Sequence, residues 1–181
     1  MHTLRTSPRS PRVRSFLAAV LGAAALVPLA TVTALGASAI GCSKSYIPNT
    51  DVEDTSENRK VVSFCEKYRR AVEERDIEGL VSMASTRYFE TGGNAKSGDD
   101  IDYNGLRKYL ATKFKMTKAI RYEIRYHRIS ESEEKILNVD FTYTASFQIP
   151  TQKGDVWNRA VRDNRIQLVR EGDSFKILAG M

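Results

Sequence analysis

The sequence predicts an α+β domain in which three N-terminal helices pack on one face of an antiparallel sheet. Apolar residues first recur at helical spacing, and from Ile120 onward the period drops to two. Within the second half, Leu137, Val139, Phe141, Tyr143, Ala145, Phe147 and Ile149 alternate with polar residues over the clearest strand of the chain. One buried face and one wet face describe an antiparallel sheet covered on a single side, and helices followed by a strand meander describe α+β.

The chain begins with a segment unlike the rest. Residues 1–41 carry four arginines (Arg5, Arg9, Arg12, Arg14), no acidic residue, and an apolar run from Phe16 to Gly41. A basic start, an apolar middle and small residues before a cut site describe a secretory signal peptide. The ending Ala39-Ile40-Gly41-Cys42 resembles a bacterial lipoprotein signal, which implies that Cys42 is lipidated and becomes the mature N-terminus. The run is also long enough to span a bilayer, so an uncleaved anchor helix is the competing reading, opposed by Pro28 and the richness in alanine. Either reading leaves the domain outside the cytoplasmic membrane. Ser43 after the cysteine resembles the outer-membrane default of enteric bacteria, so the outer membrane is favoured over the outer face of the inner one.

Residues 42–54 are expected to be an acylated N-terminus and a flexible tether, and residues 55–181 the single folded domain. Serines, Pro48, Asn49 and acidic residues give the tether no apolar period. Removing the four signal arginines from the 28 basic residues leaves 24 against 22 acidic ones, a net charge of +2. A near-balanced domain lacks the clustered positive surface that nucleic acid demands. With Cys42 consumed by lipid, Cys65 has no disulfide partner, and its place in a helical stripe predicts a small buried hydrophobe.

The first helix is expected to start at an Asp54 cap with Glu57 three residues on. Val61, Phe64, Cys65, Tyr68 and Val72 mark its buried face. Asp76 begins a second helix carrying Ile77, Leu80, Val81 and Met83, and Arg87–Glu90 reads as a short strand. Gly92-Gly93-Asn94 is a turn, and residues 94–102 are expected as a polar loop. Asp102 caps a third helix with Leu106, Tyr109, Leu110 and Phe114 buried, while Lys108, Lys113, Lys115 and Lys118 meet solvent. Ile120–Tyr126 begins the sheet, Pro150 ends the second strand, Val156–Arg170 is the third, and Phe175 and Ile177 close it.

The segment Arg75-Asp76-Ile77-Glu78-Gly79-Leu80-Val81-Ser82-Met83, after an amphipathic helix, resembles the helix pair of the nuclear transport factor 2-like superfamily. Ketosteroid isomerase and the SnoaL-like proteins belong to this group. The ending Arg165–Leu178 resembles its closing hairpin, with Phe175 where a tryptophan is frequent. The resemblance covers about residues 57–181. It implies a curved, cone-like sheet wrapped around the helices, an interior pocket, and dimerisation through the open sheet face as a family habit.

Catalysis in such a pocket needs a titratable group tuned by burial, and the sequence offers few. His127 shares a strand face with Arg121, Glu123 and Arg125, which predicts solvent exposure. Asp140 also lies on a polar face. Without a second mature histidine a histidine-rich metal site is unsupported, and no glycine loop, nucleophile elbow or cysteine–histidine arrangement implies a cofactor or covalent chemistry.

The third strand is ambiguous: Trp157, Val161 and Val169 share a parity with Arg159, Asp163, Arg165 and Gln167. Facing the helices, they would make Asp163 an interior carboxylate, kept ionised by Arg159 or Arg165; a bulge near Asn164 would flip the parity. Tyrosines are numerous and combine core area with a hydroxyl that can reach a cavity. The expected ligand-binding set is Tyr68, Tyr109, Tyr126, Tyr143, Trp157 and Asp163. The function expected is a membrane-anchored envelope lipoprotein that binds a small apolar ligand or an envelope protein without catalysis. The alternative is a SnoaL-like or ketosteroid isomerase-like enzyme acting on a small apolar molecule.

Overall fold

A computed structural model describes residues 44–91 and 100–181. The signal segment, Cys42 and the Gly92-Gly93-Asn94 turn lie outside the described residues. Three helices, α1 (Ser56–Glu74), α2 (Ile77–Met83) and α3 (Tyr103–Lys115), precede a four-stranded antiparallel curved sheet, as the sequence predicts. Its strands are β3 (Ala119–Glu131), β4 (Leu137–Thr151), β5 (Gly154–Glu171) and β6 (Ser174–Ala179), in sequential order.

The caps of α2 and α3 are those expected. Asp76 accepts from the Gly79 amide at 2.9 Å and Asp102 from the Gly105 amide at 2.8 Å, satisfying orphan donors at each first turn. The cap of α1 is Thr55 rather than Asp54: its hydroxyl accepts from the Asn58 amide at 3.0 Å. Asp54 pairs with the Arg59 guanidinium instead. Two-residue strands β1 (Phe89–Glu90) and β2 (Ile101–Asp102) pair antiparallel, so the polar stretch expected up to residue 102 ends in a strand.

Residues 46–53 are not a free tether. Tyr46 and Glu53 form an antiparallel bridge, and Val52 is 2 % exposed in the core. The Asp51 amide donates to the Tyr126 carbonyl at 2.9 Å. This strap and α1 share the work of covering the outer edge of β3. On α1, Glu73 accepts from the Tyr122 amide at 2.9 Å and Arg69 donates to the Tyr122 carbonyl at 3.1 Å. Arg69 and Glu73 are themselves paired, so a backbone edge that would invite foreign strands is closed by side chains.

Register decides what faces the helices. β4 and β5 pair without interruption from Leu137↔Leu168 to Thr151↔Gly154. The bulge considered near Asn164 is absent. Ile166 and Leu168 therefore share a face with Asn158, Ala160, Arg162 and Asn164, and the Trp157–Asp163–Gln167 parity points away from the helices throughout. The β5–β6 pairing shifts, from Gln167↔Ala179 to Leu168↔Ile177. One bulge is on β3, where the pairing passes from Tyr126↔Phe141 to Arg128↔Asp140 and leaves His127 extra. Ile120, Tyr122 and Tyr126 point inward before it and Ile129 after it. Phe141, Val139, Ile166, Leu168, Val61 and Leu106 form the centre of the core.

Candidate functional site

Between α1, α3 and the concave sheet face lies a cavity of about 250 Å³. α1 contributes Tyr68 and Val72, α3 contributes Tyr109, Lys113 and Phe114, and the sheet contributes Tyr122, Tyr143 and Phe147. The rings form a continuous set: Tyr68 and Tyr122 meet edge-on at 6.4 Å, and Tyr122 and Tyr143 lie 5.2 Å apart. Both distances fall in the range favoured by aromatic quadrupoles.

The helix period delivers Tyr68 to the wall on the buried stripe of α1. Tyr122 is placed by strand parity and held in register by the Arg69–Glu73 contacts on its backbone. Burial pushes both phenols well above their usual range. They are neutral groups that can polarise or orient a ligand oxygen, and they are poor proton acceptors.

A second polar feature closes one wall. The Asn164 side-chain amide donates to the Gly180 carbonyl at 3.2 Å, and its oxygen accepts from the Arg165 amide at 2.9 Å. The Gly180 amide donates to the Glu90 carboxylate. Gly180 sits at φ +93°, against the Arg165 carbonyl, where a side chain would collide. These contacts bring Met181 to the cavity wall.

At the rim, the Lys113 ammonium stands 5.3 Å from the Tyr109 ring centroid, a cation–π placement. Arg162 pairs across the sheet with Tyr143 and shares its concave face. Among the described residues no aspartate, glutamate or histidine lines the cavity, no group of three metal-ligating side chains occurs, and no helix is long and apolar enough to cross a membrane.

Of the expected ligand-binding residues, Tyr68, Tyr109 and Tyr143 meet here. Tyr126 is buried elsewhere, with its hydroxyl donating to Glu66 Oε1 at 2.9 Å. Trp157 and Asp163 lie on the outer face. Trp157 is 44 % exposed, with the Arg121 guanidinium 4.9 Å from its ring centroid. Asp163 accepts from the Thr142 hydroxyl at 2.5 Å, and Arg165, expected to hold it, pairs with Asp140 at 2.6 Å instead. Cys65 is buried, and desolvation raises its thiol to about 12, which keeps it protonated and unreactive.

Sequence reasoning passed over Tyr122, Phe147 and Lys113. Phe147 could have been found, since it shares the period-two face of Tyr143. Lys113 is exposed, as the helix period predicts, and it also borders the cavity, which a helix wheel does not show.

No family model and no curated protein sequence matches the chain. Solved structures do resemble it. A proposed dehydratase of the nuclear transport factor 2-like family from Streptomyces avermitilis matches with a TM-score of 0.58 at 13 % identity, covering 68 % of this chain and 93 % of its own. A proposed scytalone dehydratase from Novosphingobium aromaticivorans gives 0.58 at 12 % identity, over 68 % and 80 %. A proposed calcium/calmodulin-dependent protein kinase II association domain from Xanthomonas campestris gives 0.55 at 12 % identity, over 76 % and 90 %. The fold is therefore nuclear transport factor 2-like, and at these identities the likeness concerns the fold alone.

Proposed function

We propose that this chain is a lipid-anchored protein of the cell envelope whose domain holds a small apolar molecule in the aromatic cavity without transforming it. The cavity lining carries the proposal. Tyr68, Tyr109, Tyr122, Tyr143, Phe114 and Phe147 offer ring faces and few polar groups, the composition of a site that binds by burial and shape. Proton transfer near neutral pH needs a group tuned close to that pH, and phenols raised by burial are far from it. Anchoring is supported by the basic start, apolar run and Ala39-Ile40-Gly41-Cys42 ending of residues 1–42.

One observation favours a second reading, an enzyme resembling ketosteroid isomerase or the SnoaL-like proteins. The Tyr68–Tyr122 hydroxyl pair has the chemistry to stabilise a developing oxyanion. Such an enzyme would still need a base.

Calorimetric titration of the neutral two-ring compound 1-naphthylacetamide into the detergent-purified full-length chain tests the binding reading. Saturable one-to-one binding, weakened about tenfold by Tyr143→Ala or Phe147→Ala through lost ring contact, is expected. Binding that is not saturable, or that both variants leave unchanged, would overturn it. A substrate whose conversion stops in a folded Tyr68→Phe variant would establish the second reading instead.

A further inference from the structure

We infer that the ligand is a ring-bearing organic monoanion, its apolar body inside the cavity and its acidic group at the rim against Lys113 and Arg162. The inference deepens the binding reading above and rests on it.

The walls set the body. Ring faces of Tyr68, Tyr122, Tyr143 and Phe147 surround a space of about 250 Å³, room for a fused-ring or similarly compact apolar group. Inside, the lining is mostly ring and aliphatic surface, and among the described residues it holds no charged side chain but Lys113. Both ends of the Asn164 amide are bonded to the backbone of Gly180 and Arg165, which leaves neutral tyrosine hydroxyls as the other side-chain polar groups of the lining. A charged group placed among these rings would exchange its hydration for a few neutral hydroxyl contacts at most, a heavy cost. An acidic substituent therefore belongs at the opening.

The opening supplies its partner. Lys113 is the one charged side chain among the residues described in the lining, and its ammonium is stationed over the Tyr109 ring. Arg162 flanks the same face beside Tyr143. Neither Lys113 nor Arg162 has a carboxylate partner among the described residues, whereas Arg69, Arg128, Arg165 and Arg170 are each held by one. Two positive groups next to a low-dielectric wall attract a carboxylate more strongly than the same groups on an open surface. A neutral ligand gains nothing from them, and a cationic one is repelled.

The test compares 1-naphthylacetate with 1-naphthylacetamide, nearly isosteric compounds that differ in charge at neutral pH. Both are titrated into the detergent-purified full-length chain at low salt. Tighter binding of the acid by about three- to tenfold is expected, from two partly exposed charge contacts. The preference should shrink as salt is raised and disappear in a Lys113→Met/Arg162→Met variant that still binds the amide normally. Equal affinity for the two compounds, or a preference for the acid that survives in the variant, overturns this inference and leaves the binding reading standing. Failure of both compounds to bind overturns the binding reading itself and this inference with it.

Discussion

Asp51 and His127, 76 positions apart in sequence, are joined by a hydrogen bond of 3.0 Å between Asp51 Oδ2 and the imidazole Nδ1. The β3 bulge sets His127 apart from the regular ladder, and its other ring nitrogen lies 2.8 Å from the Thr142 hydroxyl, which donates to Asp163. Four side chains thus link the strap at residues 46–53 to β3, β4 and β5. His127 is half-exposed, as strand parity predicts, yet both its nitrogens are engaged. Asp163, expected as an interior carboxylate, is the far end of this outer-face chain.

Acid should loosen the strap. The His127 hydrogen bond, then that of Arg125, holds the Asp51 carboxyl below its ordinary 3.8. A carboxyl lowered in the folded state stabilises it above the unfolded value, and that contribution is lost as pH falls through the folded one. Hydrogen-exchange protection of the Asp51 amide, bonded to the Tyr126 carbonyl, should drop progressively below about pH 4. Protection that is unchanged down to pH 2 would contradict the link.

The β4–β5 register predicts opposite outcomes for two apolar residues seven positions apart on one strand. Leu168 is fully buried against the core, while Val161 is 56 % exposed on the outer face. Leu168→Ala should cost about 2–5 kcal/mol in urea unfolding through lost burial and a cavity. Val161→Ala should stay within about 0.5 kcal/mol. Similar losses for both would mean that the strand is rotated.

Much of the architecture was legible because solvent is confined to one side. Every inward residue of β4 from Leu137 to Phe147 was readable from alternation, and so were the α1 stripe and the Asp76 and Asp102 caps. β5 was not legible beyond Ile166. Its concave-face positions Asn158, Ala160, Arg162 and Asn164 lie beyond the packed core and only partly shielded from solvent, so the pattern there is not apolar, and the exposed outer positions Trp157 and Val161 mimic a buried face. The His127 bulge breaks parity without a glycine to mark it. Three tyrosines of the cavity were legible as a class, but Tyr126 looks identical in sequence and differs only because Glu66 waits for its hydroxyl.

Outer-face residues should be silent in ligand binding. Asp163→Asn and Trp157→Phe are expected to change affinity for a two-ring ligand less than twofold, within about 0.4 kcal/mol, because neither lines the cavity. Asp163→Asn should instead reduce the protection of the strap through Thr142 and His127. A tenfold loss of affinity in either variant would place the ligand on the wrong side of the sheet.

Processing at Cys42 has its own outcome. Intact mass of the mature protein should show an N-terminus at Cys42 carrying acyl chains, at least two for stable anchoring. Cys42→Ser should leave an unprocessed precursor still inserted in the membrane. An unlipidated N-terminus at any other residue would refute lipid anchoring, with no consequence for the cavity.

The central claim is that the aromatic cavity on the concave face receives the ligand. Intermolecular nuclear Overhauser effects from the naphthyl protons of bound 1-naphthylacetamide report it directly. Contacts to the rings of Tyr143 and Phe147 and to the methyls of Leu110, with none to the Trp157 indole, are expected from the cavity lining. Contacts confined to Trp157 and the outer sheet face would contradict the account.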